Sequence, residues 1–116
     1  MTDATTTAPT YMPHNREFER REAKTLVNLI LDRGLTISVY DGGDWPLKRS
    51  TSSAEVLAAM GSTDSDTLRL RDANGDVVAN FVLVYGNSPG DLICDHSAND
   101  LAESIWSAWS AAHPID

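Results

Sequence analysis

Apolar residues at Ala23, Leu26, Val27 and Ile30 recur at helical spacing and predict a helix over residues 15–33. Asn15 is its expected N-cap, Glu17 and Glu19 suit the positive end of the dipole, and Gly34 supplies the stop. In the first half, Arg16, Arg20, Arg21 and Lys24 interleave with Glu17, Glu19 and Glu22. That pattern reads as a salt-bridged, solvated start running into a docked second half, and not as a phosphate track. The period then changes to two. Leu35, Ile37 and Val39 alternate with Thr36, Ser38 and Tyr40, as in a strand, and Gly42-Gly43 marks a two-residue hairpin turn. This register sets Tyr40 opposite Trp45 and Ser38 opposite Leu47. It leaves Ile37 and Val39 on one face and Trp45 and Leu47 on the other, so either both faces are covered or a bulge shifts the pairing. Pro46 argues for an edge position.

Ser52-Ser53-Ala54-Glu55 has the form of a capping box, and a short helix through Val56, Leu57 and Met60 should end at Gly61. Asn74-Gly75 is the preferred pair for a type I′ hairpin. Closing it pairs Asp72 with Val77, Leu70 with Ala79 and Leu68 with Phe81. Leu68, Leu70, Ala79, Phe81, Leu83 and Tyr85 then form one apolar face, with Arg69, Arg71 and Asn80 pointing the other way. Gly86-Asn87-Ser88-Pro89-Gly90 is a turn by composition, and 91–96 is a last short strand. Ser97 or Asn99 caps a final helix ending before Pro114, whose stripe is Leu101, Ile105, Ala108, Trp109 and Ala112, with Trp106 on its flank. The expected order is α-β-β-α-β-β-β-α, an α+β fold with an antiparallel meander of about five strands and helices packed on it. Residues 1–13, Thr-rich with two prolines, read as a disordered tail, and 14–116 as a single domain.

Charge changes the picture. The net charge is −8, yet all nine bases lie at or before Arg71, and acids alone follow it. A base-free stretch cannot neutralise phosphates, and with the net charge of −8 no direct nucleic-acid binding by the domain is expected, whereas a basic partner could face that stretch. The single cysteine, Cys94, excludes an intrachain disulfide and fits a reducing compartment. The start lacks an apolar h-region and no run approaches a membrane span, so a cytoplasmic protein is expected.

Candidate chemistry is sparse. Gly86-Asn87-Ser88-Pro89-Gly90 matches the Gly-x-Ser-x-Gly turn of serine hydrolases, with Asp91, Asp95, His96 and His113 downstream. A strand follows it where a hydrolase has a helix, so a plain turn is the better reading. Asp72-Ala-Asn-Gly-Asp76 opens like a calcium loop, but its glycine comes too early and Leu83 stands where a glutamate is needed. Cys94 and His96 are two of the three or four ligands zinc requires, and neither His14 nor His113 completes the set; a buried free Cys94 is expected. No catalytic residue, metal or cofactor is expected. Trp106 with Asp100 and Glu103, taken as lying within a turn of it, is the expected interaction surface. Gly42, Gly43, Asn74, Gly75, Gly86 and Gly90 are structural turns.

Residues 36–51, TISVYDGGDWPLKRST, and Val84-Tyr85-Gly86-Asn87 with Asp95 resemble a group of small hypothetical proteins of proteobacterial prophages, plasmids and other mobile elements. Relatives in that group often carry tyrosine where His96 stands. The resemblance implies a mobile-element accessory protein without implying a mechanism. The function expected is non-enzymatic protein binding. The alternatives are an acidic, DNA-mimicking inhibitor of a nucleic-acid-binding protein and, more remotely, a hydrolase using Ser88.

Overall fold

A computed structural model describes residues 16–112. Its elements are α1 (Arg16–Leu31), β1 (Thr36–Tyr40), β2 (Leu47–Ser50), α2 (Ser53–Ala59), β3 (Ser65–Arg71), β4 (Val77–Val84), β5 (Ile93–His96) and α3 (Asp100–Ala112). The fold is the expected α+β arrangement. The five strands form one antiparallel sheet in the order β2-β1-β3-β4-β5. The run β3-β4-β5 is a meander. The connection through α2 carries the chain from edge strand β2 past β1 to β3, so β1 lies between them. The N-cap expected at Asn15, the tail, His14 and the last four residues lie outside the described residues.

One core holds the molecule together. Ile37, Val39, Leu68, Leu70, Ala79, Phe81 and Leu83 face it from the sheet, and Leu26, Val27, Ile30, Val56, Ile105 and Trp109 from the helices. All three helices therefore pack on the same face. None of them covers the other, which carries Ser38, Tyr40, Thr67, Arg69, Arg71 and Asn80. On α3 the buried residues are Ala102, Ile105 and Trp109, with Leu101 and Ala108 only half-buried, so the stripe sits slightly round from the expected one.

At the first hairpin the bulge, one of the two alternatives expected there, is the one found, and three other local expectations are corrected. Asp41 N–H donates to Asp44 O across Gly42-Gly43, and the Tyr40 and Trp45 rings lie 4.8 Å apart, as the turn requires. Beyond Pro46 the register slips, so that Val39 faces Leu47 and Ile37 faces Ser50 across a bulge. The slip brings Leu47 round to the core side, which removes the conflict between faces.

At the second hairpin, Leu70 pairs with Ala79 and Leu68 with Phe81 as expected, but Arg71 faces Val77 through a bulge. Only Gly75, not Asn74, has positive φ, at 86°. This is a three-residue loop with a glycine bulge rather than a type I′ turn. Asp72 Oδ1 selects it by accepting the N–H groups of Asn74 and Asp76 at 2.9 and 3.0 Å.

Cys94 is exposed, not buried. A bulge between the Phe81–His96 and Leu83–Ile93 pairs takes it off the core face. Finally, the charged start of α1 is solvated only in part: Glu17, Arg20, Arg21 and Lys24 are exposed, but two of its acids turn inward. Glu19 and Glu22 are buried, 1% and 4% exposed. Glu19 Oε2 accepts the N–H of Gly86 at 2.8 Å, and Glu22 Oε2 that of Gly90 at 3.0 Å. The Gly86–Gly90 turn has two amides that no strand serves, and these carboxylates satisfy them with charge-assisted hydrogen bonds. The turn leads into strand β5, so it lacks the strand-turn-helix setting of a nucleophile elbow, and Ser88 is exposed within it.

Candidate binding surfaces at the two edges of the sheet

The expected surface lies where edge strand β5 meets α3. Asn99 caps α3: its Oδ1 accepts Ala102 N–H at 2.9 Å, and its Nδ2 donates to Val78 O at 3.0 Å. Ser97 Oγ accepts Asn80 N–H at 2.8 Å, which ties the β5–α3 connection to β4. The connection therefore holds a fixed geometry under three rings. Phe81, in the core, lies 5.7 Å from the His96 ring, and His96 lies 6.1 Å from Trp106. His96 Nδ1 is 2.9 Å from Ser97 O, a pairing that requires Nδ1 to carry the proton.

Trp106 stands at the outer end of this series, 39% exposed. Val77 and Trp106 are the exposed large hydrophobic residues among those described. Three residues along the same helix, Trp109 is 2% exposed and donates its indole N–H to Glu22 O at 2.9 Å. Glu103 stands three residues before Trp106 and shares its side of the helix. Asp100 is six residues away, about 9 Å along the axis, so it flanks the surface and is not adjacent to the ring. Cys94 and Asp95 on β5 are exposed, as is Asp91 just before the strand.

The opposite edge has the opposite sign. The register slip in β2 and the outward alternation of β3 bring Ser38, Trp45, Lys48, Arg49, Arg69 and Arg71 around one cleft of about 270 Å³ on the helix-free face. Arg69 lies over the Trp45 ring, 4.9 Å from its centroid, and its Nε donates to Asn80 Oδ1 at 3.3 Å. Arg71 Nη1 donates to Gly75 O at 2.8 Å, while Arg71 Nε is buried with no acceptor. Arg49 N–H donates to buried Ser38 Oγ at 2.9 Å. Its backbone is left-handed, φ 52°, the one positive φ outside glycine among the described residues. Sequence reasoning missed this site. Arg69 and Arg71 are legible as outward-facing, but their meeting with Lys48 and Arg49 depends on the β2-β1-β3 order and on the slip.

The covered side holds one more polar group that pattern reading missed. Asp66 faces the core from β3, 2% exposed. Its Oδ2 accepts the hydroxyl of Tyr85 and, at 2.8 Å, the N–H of Gly61. Burial pushes the Asp66 carboxyl above the usual carboxylate range, against the pull of those two hydrogen bonds. Burial, with the adjacent Asp66 charge, raises the Tyr85 hydroxyl as well.

No group of three or more metal-ligating side chains occurs among the described residues, and none of their helices is long and apolar enough to cross a membrane. No protein-family model, curated protein or solved structure matches the chain.

Proposed function

We propose that this is a non-enzymatic protein-binding domain that docks through the β5–α3 edge, with Trp106 as its apolar anchor. The observation that carries the reading is the state of that indole. It is exposed, yet its ring lies beside His96, which in turn lies beside core Phe81. A large exposed aromatic next to the core is the kind of residue that anchors interfaces as a hot spot. Glu103 on its side of the helix, with Asp100 further along, puts negative charge beside it, so the partner is a basic protein, including one whose basic surface ordinarily binds nucleic acid. The setting of this reading is the cytoplasm, where an exposed Cys94 thiol stays reduced, in an accessory protein of a mobile element.

The test is affinity capture from cells that carry the element, followed by reconstitution of the captured protein with purified variants. Trp106→Ala is expected to weaken the complex by about 2 kcal/mol or more, roughly 30-fold, without unfolding the domain. Glu103→Lys with Asp100→Lys is expected to slow association and to flatten its salt dependence. Unchanged affinity in both folded variants would place the docking surface elsewhere.

A further inference from the structure

We propose that the cationic cleft between β2, β1 and β3 is a binding site for a phosphate-type oxyanion. Four of the chain's nine bases converge on it, in a protein of net charge −8. Among the described residues none of the four is in an ion pair, although acids outnumber bases by 17 to 9 over the whole chain. The nearby carboxylate of Asp72 is folded into its own turn, on the N–H groups of Asn74 and Asp76. The cleft is thus a patch of uncompensated positive charge that fold and sequence had ample acid to neutralise.

Three unfavourable features coincide there. Arg71 Nε is buried without an acceptor. Arg49 adopts a backbone conformation that a side chain ordinarily avoids. A Cβ on Gly75 would stand 3.7 Å from Arg49 Nη1, and Arg71 holds the carbonyl of that same glycine, so two guanidinium groups crowd one hairpin tip. Buried donors, strain and like charges gather where a ligand supplies what the protein lacks. An oxyanion supplies acceptor atoms and negative charge together.

The chemistry of the lining selects the ligand. The guanidinium group of Arg49 and the ammonium of Lys48 make no hydrogen bond within the described protein, so most of their donors are free. Guanidinium forks match the oxygens of phosphate in pairs. The open cleft of about 270 Å³ has room for a phosphate group and for part of a small molecule that bears it. Trp45 offers no clear platform for a base, since Arg69 lies over its ring and Tyr40 packs against it. The site therefore recognises the phosphate group rather than what bears it. Phosphate reaches it either as the free ion or as a monoester on a small molecule.

Inorganic phosphate and glycerol phosphate, titrated separately into the ¹⁵N-labelled full chain at low ionic strength, test this. Saturable shifts are expected at Lys48, Arg49, Arg69, Arg71 and Gly75 and at the Arg71 side-chain Nε–H. Arg71→Met keeps the stem and removes the fork, and Arg49→Gly removes a fork while relieving the backbone; each should weaken binding by about tenfold or more. Tighter binding of the ester identifies a phosphorylated small molecule as the source, and tighter binding of phosphate identifies the free ion; both support the site. Linear shifts without saturation for both compounds, or equal affinity in folded Arg71→Met and Arg49→Gly, would overturn it.

Discussion

The two edges of the sheet make opposite use of charge. At β2 the bases Lys48, Arg49, Arg69 and Arg71 converge, and among the described residues none of them is in an ion pair. At β5 and α3 the acids Asp91, Asp95, Asp100 and Glu103 are all exposed, with Glu103 on the Trp106 side of the helix, and neither element carries a lysine or arginine. A net charge of −8 describes neither edge. Charges within a Debye length of each other, about 8–10 Å in physiological salt, set the field a ligand meets. Where the acids go explains much of the contrast. Glu19, Glu22 and Asp66 are spent inside the fold on backbone N–H groups and on Tyr85, and Asp72 on its own turn. They count towards the net charge without forming ion pairs with the four bases of the cleft.

The largest effect that sharpens the comparison comes from α3 itself. Trp109→Ala should cost about 3–5 kcal/mol of stability, because it removes a buried ring and its hydrogen bond to Glu22 O. Trp106→Ala, one turn away, should cost much less in urea unfolding and show its effect in partner affinity. Comparable destabilisation by both would make Trp106 part of the core and break the acidic-edge reading.

Asp66 gives a smaller effect with a definite sign. Its carboxyl holds its proton more tightly in the folded chain than in the unfolded one. Between its unfolded and folded pKa values the native state therefore binds more protons, and stability from this group falls as pH rises through that window. Acidification from neutrality should accordingly recover stability through Asp66 before other carboxylates reverse the trend. Asp66→Asn should remove that rise in urea midpoints measured from pH 7 downwards. A rise of equal size in the variant would assign the effect to another group.

Arg49→Gly is the smallest change and the most telling at the cationic edge. Relief of the left-handed backbone should raise stability by up to about 1 kcal/mol. A residue whose removal stabilises the fold but weakens phosphate binding about tenfold is held there for the ligand. A loss of stability in thermal unfolding would mean that Arg49 supports the hairpin instead.

How far these regions were legible in the sequence follows from the range of the forces involved. The strands, the three helices and the core pairs Leu68–Phe81 and Leu70–Ala79 rest on local period and turn chemistry, which sequence carries directly. The Trp106 edge was legible because a residue off the apolar stripe of a helix must face out or sideways. The roles of Glu19 and Glu22 were not, because their partners Gly86 and Gly90 are 67 and 68 residues away. Charge interleaving along α1 looks solvated until those amides are seen to lack acceptors. Cys94 turned outward through a bulge that no residue type marks. The cleft was hidden for two reasons: β3 lies beside β1 rather than β2, and the slip after Pro46 changes which way Lys48 and Arg49 face.

The opposed fields of the two edges can be measured directly, by comparing how small anionic and cationic nitroxide probes relax the amide protons of the full chain at low salt. The anionic probe is expected to relax Lys48, Arg49, Arg69 and Arg71 more than the cationic one, with the order reversed at Asp95, Glu103 and Trp106. Stronger relaxation by the cationic probe at both edges, as the net charge alone would give, would contradict the opposed fields.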